Sequence, residues 1–370
     1  MGVIGAYRKR KDETPMIKKG AVLILCAILI LHLTACRSDP GPLSSQKAVD
    51  IMSPSQTVYD WPETPQEVYT LTVAVAIAKG TPSGQALLAI KEELEQRSNG
   101  AVTLDIFWES TLGGAPEIAE SVTTGTVDIG LVSSAVISNY THAIDVLSLP
   151  FIIENRQQFK AVLDNCFDEV TKGMEETIGI PLGLWEFGFR HLCTTEKEVL
   201  TVEDCARLTI RVMDGQVYKE TFEALGCITS NIANSELTTA MQQGVVDGAE
   251  EPMATICNQQ QYVFCDYVVM LGYNYSAGCP VLSAKTTERL PREVLDLLEQ
   301  VFSEYRYYTI DEGERFEQKY INTCLENGMT VHYLSQEEME RFKETVMPVW
   351  EEYADLIGRD LIEQVVSLPY

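Results

Sequence analysis

The run Tyr69-Thr-Leu-Thr-Val-Ala-Val-Ala-Ile77 alternates with a period of two, which predicts a β-strand. Gly80-Thr-Pro-Ser-Gly84 then turns the chain into a helix, expected from about Gln85 to Arg97 and closed by Asn99-Gly100. Ala101–Trp108 alternates again, with Val102, Leu104, Ile106 and Trp108 on one face. Strand, helix, strand at this spacing is a βαβ unit of a parallel sheet, so the chain reads as α/β. The plan recurs further on. A helix around Pro116–Thr124 leads into Gly125-Thr-Val-Asp-Ile, and another from about Ser235 to Gln243 leads into Gly244-Val-Val-Asp-Gly. Each offers a glycine for a left-handed helix end, one residue, then Val-Asp entering a strand. Val245–Asp247 is expected to start the second of these strands, with Gly248 as a turn. The two matches suit two lobes built alike.

Pro291 to about Asn327 reads as nearly continuous helix, softened or kinked at Gly313. Some 35 residues of helix would be about 50 Å long, enough to run across two lobes. Ser335–Val366 is helical and amphipathic. At the other end, Met16-Ile-Lys-Lys precedes the apolar run Ala21–Leu33 and then Leu33-Thr-Ala-Cys36. A basic start, a short apolar stretch and small residues before cysteine form a secretory signal of the lipoprotein type, with Cys36 as the lipidated residue. The run is short of the roughly 20 residues that span a bilayer. Residues 1–35 are thus read as the signal, with Met16 an alternative start, and 36–68, rich in Pro and Ser, as a tether. The expected location is outside the cytoplasmic membrane, held there by the lipid.

After residue 35 the chain keeps 22 basic and 52 acidic residues. That balance repels nucleic acid and anionic lipid, and an anionic ligand would need arginines concentrated at its site. Eight cysteines follow Cys36, without zinc-type CxxC spacing; export permits disulfides, but most are read as small buried apolar residues. No HExxH, GxSxG, phosphate-binding loop or dinucleotide fingerprint is present. His191 and Cys193, two apart on an expected strand, share a face. That allows a Cys–His nucleophile, a hydrolase reading, but adjacent core or pocket side chains explain the pair as well.

Two arginines stand out. Arg190 lies in the aromatic, apolar stretch Leu184-Trp-Glu-Phe-Gly-Phe-Arg-His-Leu-Cys193, and Arg211 alternates against Leu208, Ile210 and Val212. A guanidinium buried on a strand needs an anionic partner, and it binds carboxylate bidentately. Each is therefore either part of a carboxylate receptor or half of an internal salt bridge.

These residues sit within a wider pattern. In order, the chain carries Leu112-Gly-Gly, Gly125-Thr-Val-Asp-Ile-Gly, Leu149-Pro-Phe151, Gly188-Phe-Arg-His191, Arg207-Leu-Thr-Ile-Arg211, Phe222-Glu-Ala-Leu-Gly226, Ala240-Met-Gln-Gln-Gly-Val-Val-Asp-Gly248 and Glu250-Glu-Pro252. With this set, Tyr69 to about Val365 resembles the substrate-binding proteins of tripartite ATP-independent periplasmic (TRAP) transporters, the dicarboxylate-binding (DctP) family. The resemblance implies a two-lobed periplasmic-binding-protein fold with a long helix spanning both lobes, here 69–188 with 277–316 and 189–276 with 317–370. It implies a non-enzymatic receptor that closes on one small organic acid and passes it to the small and large membrane subunits of a permease. A lobe pair presenting its ligand to a membrane receptor is the alternative. The two family arginines that hold the ligand carboxylate fall on Arg190 and Arg211. Lys79 and its loop, Ser133 with Ser134, Trp185 with Glu186 and Phe187, Asn234 and Tyr273 fall on further cleft positions.

One position departs from the family pattern. Where relatives read Asp-Gly-x-Glu-Asn-Pro, this chain has Glu251. Its carboxylate would receive an amine of a zwitterionic ligand, help hold a divalent cation bridging to a ligand carboxylate, or point out of the cleft. No other cofactor is implied, and Glu250 is expected to have a structural role near the hinge.

Overall fold

The computed structural model describes residues 59–369. The signal, Cys36 and most of the tether lie outside them. Strand β1 (Tyr69–Val75) leads to helix α1 (Pro82–Arg97), β2 (Val102–Phe107), α2 (Ala115–Thr124) and β3 (Ile129–Ser133). After α3 (Arg156–Asn165) comes β4 (Trp185–Thr194). Next are β5 (Thr209–Arg211), α4 (Gln216–Ala224), β6 (Ile228–Ser230), α5 (Asn234–Gln242), β7 (Gly248–Pro252) and α6 (Met253–Asn258). The 16-residue β8 (Tyr267–Leu282) precedes α7 (Arg292–Glu304), α8 (Tyr308–Glu326) and β9 (Thr330–His332). Helices α9 (Gln336–Val346), α10 (Pro348–Ile357) and α11 (Arg359–Ser367) end the chain.

The sheet runs β2-β1-β3-β8-β4-β7-β5-β6, with β9 and the bridge at Ile180–Pro181 added on β8. Its two ends are parallel and its middle antiparallel. The ends repeat one plan: β1-α1-β2-α2-β3 and β5-α4-β6-α5-β7 are both βαβαβ units with the first strand central. The Val-Asp signature does the same work in each. Asp128 accepts from the Thr72 N–H at 2.8 Å, and Asp247 from the Thr209 N–H at 2.8 Å. Each aspartate therefore ties the loop before the unit's last strand to its central strand. The preceding glycines are left-handed, Gly125 at φ 78° and Gly244 at φ 67°, as the helix ends require.

Gly248 is not a turn. It is the first residue of β7, and a Cβ there would lie 2.2 Å from the Cys193 carbonyl oxygen, so close strand approach demands glycine. Helix α1 begins earlier than expected, because Thr81 caps it by accepting from the Gly84 N–H at 3.1 Å and Pro82 fits the first turn.

The expected long helix is two helices. It breaks at Tyr305–Tyr307, where Tyr305 and Tyr308 turn into the core of β1, α1 and α7 while Tyr307 bonds Asp164 on α3. Gly313 does not kink it. That glycine sits inside α8 because a Cβ would fall 2.4 Å from Oε1 of Glu186. Glu186 is held in place by Arg156, so Gly313→Ala should lower stability by about 1–3 kcal/mol, and an unchanged urea midpoint would refute this packing account. The spanning role falls to α8 alone: Ile310 packs with the first unit's core, and Tyr320, Ile321 and Cys324 with the second's. At 19 residues it is about 28 Å long.

The C-terminal helical stretch is interrupted at Pro348 and at Gly358, whose φ is 103°. Phe342 and Val346 join the core around β5, whereas Val349, Tyr353, Leu361 and Val365 pack against Ile144, Phe159 and Val162. The segment 317–370 is thus shared between the two cores rather than belonging to the second. The expected boundaries at 188/189 and 276/277 fall inside β4 and β8, the strands that run through both halves. All eight cysteines of the described residues are free thiols, and every one except Cys257 is buried.

Candidate ligand-binding cleft

The carboxyl ends of β1, β3, β5 and β7 converge on a cavity of about 380 Å³, where α/β sheets place their ligands. Ala76 and Ile77 follow β1, Ser133 ends β3, Arg211 ends β5, and Glu251 and Pro252 end β7. β7 is hydrogen-bonded between β4 and β5, so Glu250 and Glu251 lie between the strands that carry Arg190 and Arg211. That pairing assembles four charges from three distant segments.

All four are buried. Glu250 accepts from Arg190 Nε, from the Tyr273 hydroxyl at 2.6 Å and from the Met213 N–H at 2.7 Å. Arg190 Nη2 also donates to the Glu250 carbonyl and to Glu251 Oε2 at 3.3 Å. Arg211 donates from Nη1 to Glu251 Oε1 at 2.7 Å and from Nε to the Ile232 carbonyl at 3.0 Å. Burial raises the Glu251 carboxyl above the usual carboxylate range, against the pull of Arg211 and Arg190. Both its oxygens face guanidinium N–H groups, which leaves it the carboxylate of an ion-paired network. Two guanidiniums around one carboxylate are a poor donor set for a divalent cation, and no group of three or more His, Cys, Asp or Glu among the described residues could hold a metal.

Of the residues singled out in the sequence, Arg190, Arg211, Glu251, Ser133 and Asn234 line the cavity. The Ser133 hydroxyl is the informative one: 6 % exposed and without a hydrogen-bond partner. A buried polar group left open at a cavity wall marks a place for a ligand atom. Trp185 instead stacks on Phe302 in the core, with centroids 5.9 Å apart, and its neighbours Glu186 and Phe187 face the cavity. Lys79 is exposed, its ammonium 5.7 Å above the Trp108 ring. Tyr273 is fully packed behind the wall, holding Glu250. The sequence reading missed Asp214, Glu117 and Met213, which also line the cleft. Among so many acidic residues, nothing marked the first two.

At the cavity wall, Glu186 is bound by Arg156, Nη2 to Oε1 at 2.7 Å, and by the Tyr275 hydroxyl at 2.5 Å. His191 and Cys193 do not form a nucleophile pair. His191 Nδ1 accepts from the Gly272 N–H at 3.1 Å, while the Cys193 thiol points to the Ala249 carbonyl at 3.3 Å. Burial, with Arg190 and Arg156, pulls the imidazole down to about 3, and the Cys265 thiol and burial push the Cys193 thiol well up. Both shifts oppose a thiolate–imidazolium couple.

Comparison with known proteins agrees with this architecture. A solute-binding protein of Verminephrobacter eiseniae is 26% identical over 303 residues, 80% of this chain and 89% of that one. The galactonate complex of the sugar acid binding protein DctPAm from Advenella mimigardefordensis superposes with a TM-score of 0.78 at 25% identity, covering 82% of this chain and 98% of that one. A TRAP periplasmic solute-binding protein from Sulfurospirillum deleyianum with bound succinate has the same fold, with a TM-score of 0.78 at 23% identity over 82% of this chain and all of that one. Residues 73–356 match the bacterial extracellular solute-binding protein family 7, DctP, and the chain belongs to that family.

Proposed function

We propose that this protein is the extracytoplasmic solute receptor of a TRAP transporter, binding a small organic acid in the cleft and delivering it to the membrane permease. The observation that carries the reading is the cavity itself. It is lined by both βαβαβ units, with the Arg211 guanidinium on one wall and the unpartnered Ser133 hydroxyl on another. A carboxylate on Arg211 and a second polar group on Ser133 would satisfy both. Relatives described as binding C4-dicarboxylates and a solved relative holding galactonate support an organic acid as the ligand class. Isothermal titration of the detergent-solubilised protein should show one organic acid per chain, and its loss in Arg211→Ala is the decisive control.

The receptor is held at the membrane by lipid on Cys36, a reading supported by Leu33-Thr-Ala-Cys36 behind the apolar run. Among the described residues no helix is long and apolar enough to cross a membrane. Cys36→Ser should therefore move the protein from the membrane fraction to the soluble one and abolish labelling with radioactive palmitate. A variant that stays with the membrane would reject the anchor.

A further inference from the structure

The four buried charges at the cleft, Arg190, Arg211, Glu250 and Glu251, already sum to zero. Arg190 spends Nε and Nη2 on Glu250 and Glu251, and Arg211 spends Nη1 on Glu251. Arg211 Nη2 keeps no protein partner among the described residues, so the wall offers one open cationic edge. Directly beside it lies the Glu251 carboxylate, each of whose oxygens accepts one guanidinium N–H and keeps a lone pair for a further donor. The other charged cavity residues are Asp214, Glu117 and Glu186; no lysine is among them, and Glu186 is balanced by Arg156.

A net anion entering this site loses its hydration and finds a neutral quartet, so its carboxylate competes with Glu251 for the same guanidinium. A ligand that brings its own positive charge does not compete. Its carboxylate takes the open edge of Arg211 while its nitrogen donates to Glu251, and both charges are paired with no buried excess. We propose that the cleft selects a zwitterion of the amino-acid class, a carboxylate with a cationic nitrogen, and that Glu251 is the residue setting this preference. The proposal rests on the carboxylate-receptor reading above and names its ligand class.

The test pairs amino acids with the 2-hydroxy acids of the same carbon skeletons, titrated against the detergent-solubilised full chain. In at least one pair the amino acid should bind at least tenfold tighter. Its heat should be independent of the buffer's ionisation enthalpy, because no proton is needed to neutralise Glu251. Glu251→Gln leaves the site with one net positive charge and should invert the preference within that pair. Hydroxy acids or dicarboxylates binding more tightly than every amino acid overturn the proposal. So does binding of an acid with uptake of one proton, or no binding by any amino acid tried. The wild-type arms stand even if Glu251→Gln fails to fold. Hydroxy acids that bind the wild type more tightly than every amino acid, and lose that binding in Arg211→Ala, would leave the organic-acid receptor intact and remove the zwitterion. Binding indifferent to Arg211→Ala would remove both.

Discussion

Arg211→Ala should cost the protein its ligand. Truncating one partner of a buried, charge-assisted pair costs about 2–5 kcal/mol, which is roughly 30-fold to several thousand-fold in Kd. Arg211 stands at the upper end of that range, because the guanidinium is nearly buried and no lysine lines the cavity to take its place. The same change leaves Glu251 with one guanidinium contact, from Arg190 at 3.3 Å, so the unliganded protein should also melt earlier. The two effects separate by measurement. Arg211→Lys keeps the charge, and with it part of the stability, but it lacks the planar fork that serves Glu251, the Ile232 carbonyl and a ligand carboxylate at once. Its affinity should fall between wild type and alanine while its melting temperature stays nearer to wild type. An unchanged Kd in Arg211→Ala would remove the arginine from the site.

The repeated βαβαβ plan was legible because its signals are local. Period-two runs, left-handed glycines after helices and the Val-Asp pair each act within a few residues, and Asp128 and Asp247 make matching bonds in the two units. What the sequence hid depends on packing between distant segments. The break at Tyr305–Tyr307 exists because three aromatic residues serve different cores, a choice no helical period records. Trp185 and Glu186 differ by one position, and β4 shifts register against β8 between Glu186 and Gly188. The parity deciding which residue faces the cavity is therefore set by that irregularity. Tyr273, a cleft position by resemblance, stands one layer behind, on Glu250. The pairing of Glu250 with Arg190 follows from β7 lying beside β4, which only the sheet order reveals.

That hidden pair carries the largest expected effect on stability. Glu250 is fully buried, and one carboxylate receives Arg190 Nε, the Tyr273 hydroxyl and the Met213 N–H. Glu250→Ala strands all three donors in the interior and leaves Arg190, 2 % exposed, without its main counter-charge. Removing one partner of a buried ion pair costs about 3–5 kcal/mol, and the orphaned hydroxyl and amide add to that. Against a typical domain stability of about 5–15 kcal/mol, the variant sits near the edge of folding, and urea denaturation without ligand should show it. Glu250→Gln keeps the shape and one acceptor but not the charge, so it should fall between. The double variant Arg190→Met with Glu250→Gln separates stranded charge from lost shape, because it removes the guanidinium along with its counter-charge. It should recover part of the loss, a positive coupling that independent sites would not show. Recovered folding with retained ligand affinity would assign Arg190 to holding Glu250 and Glu251 in place, leaving Arg211 as the anchor. If the double variant is instead less stable than the sum of its singles, the pair is not the unit described.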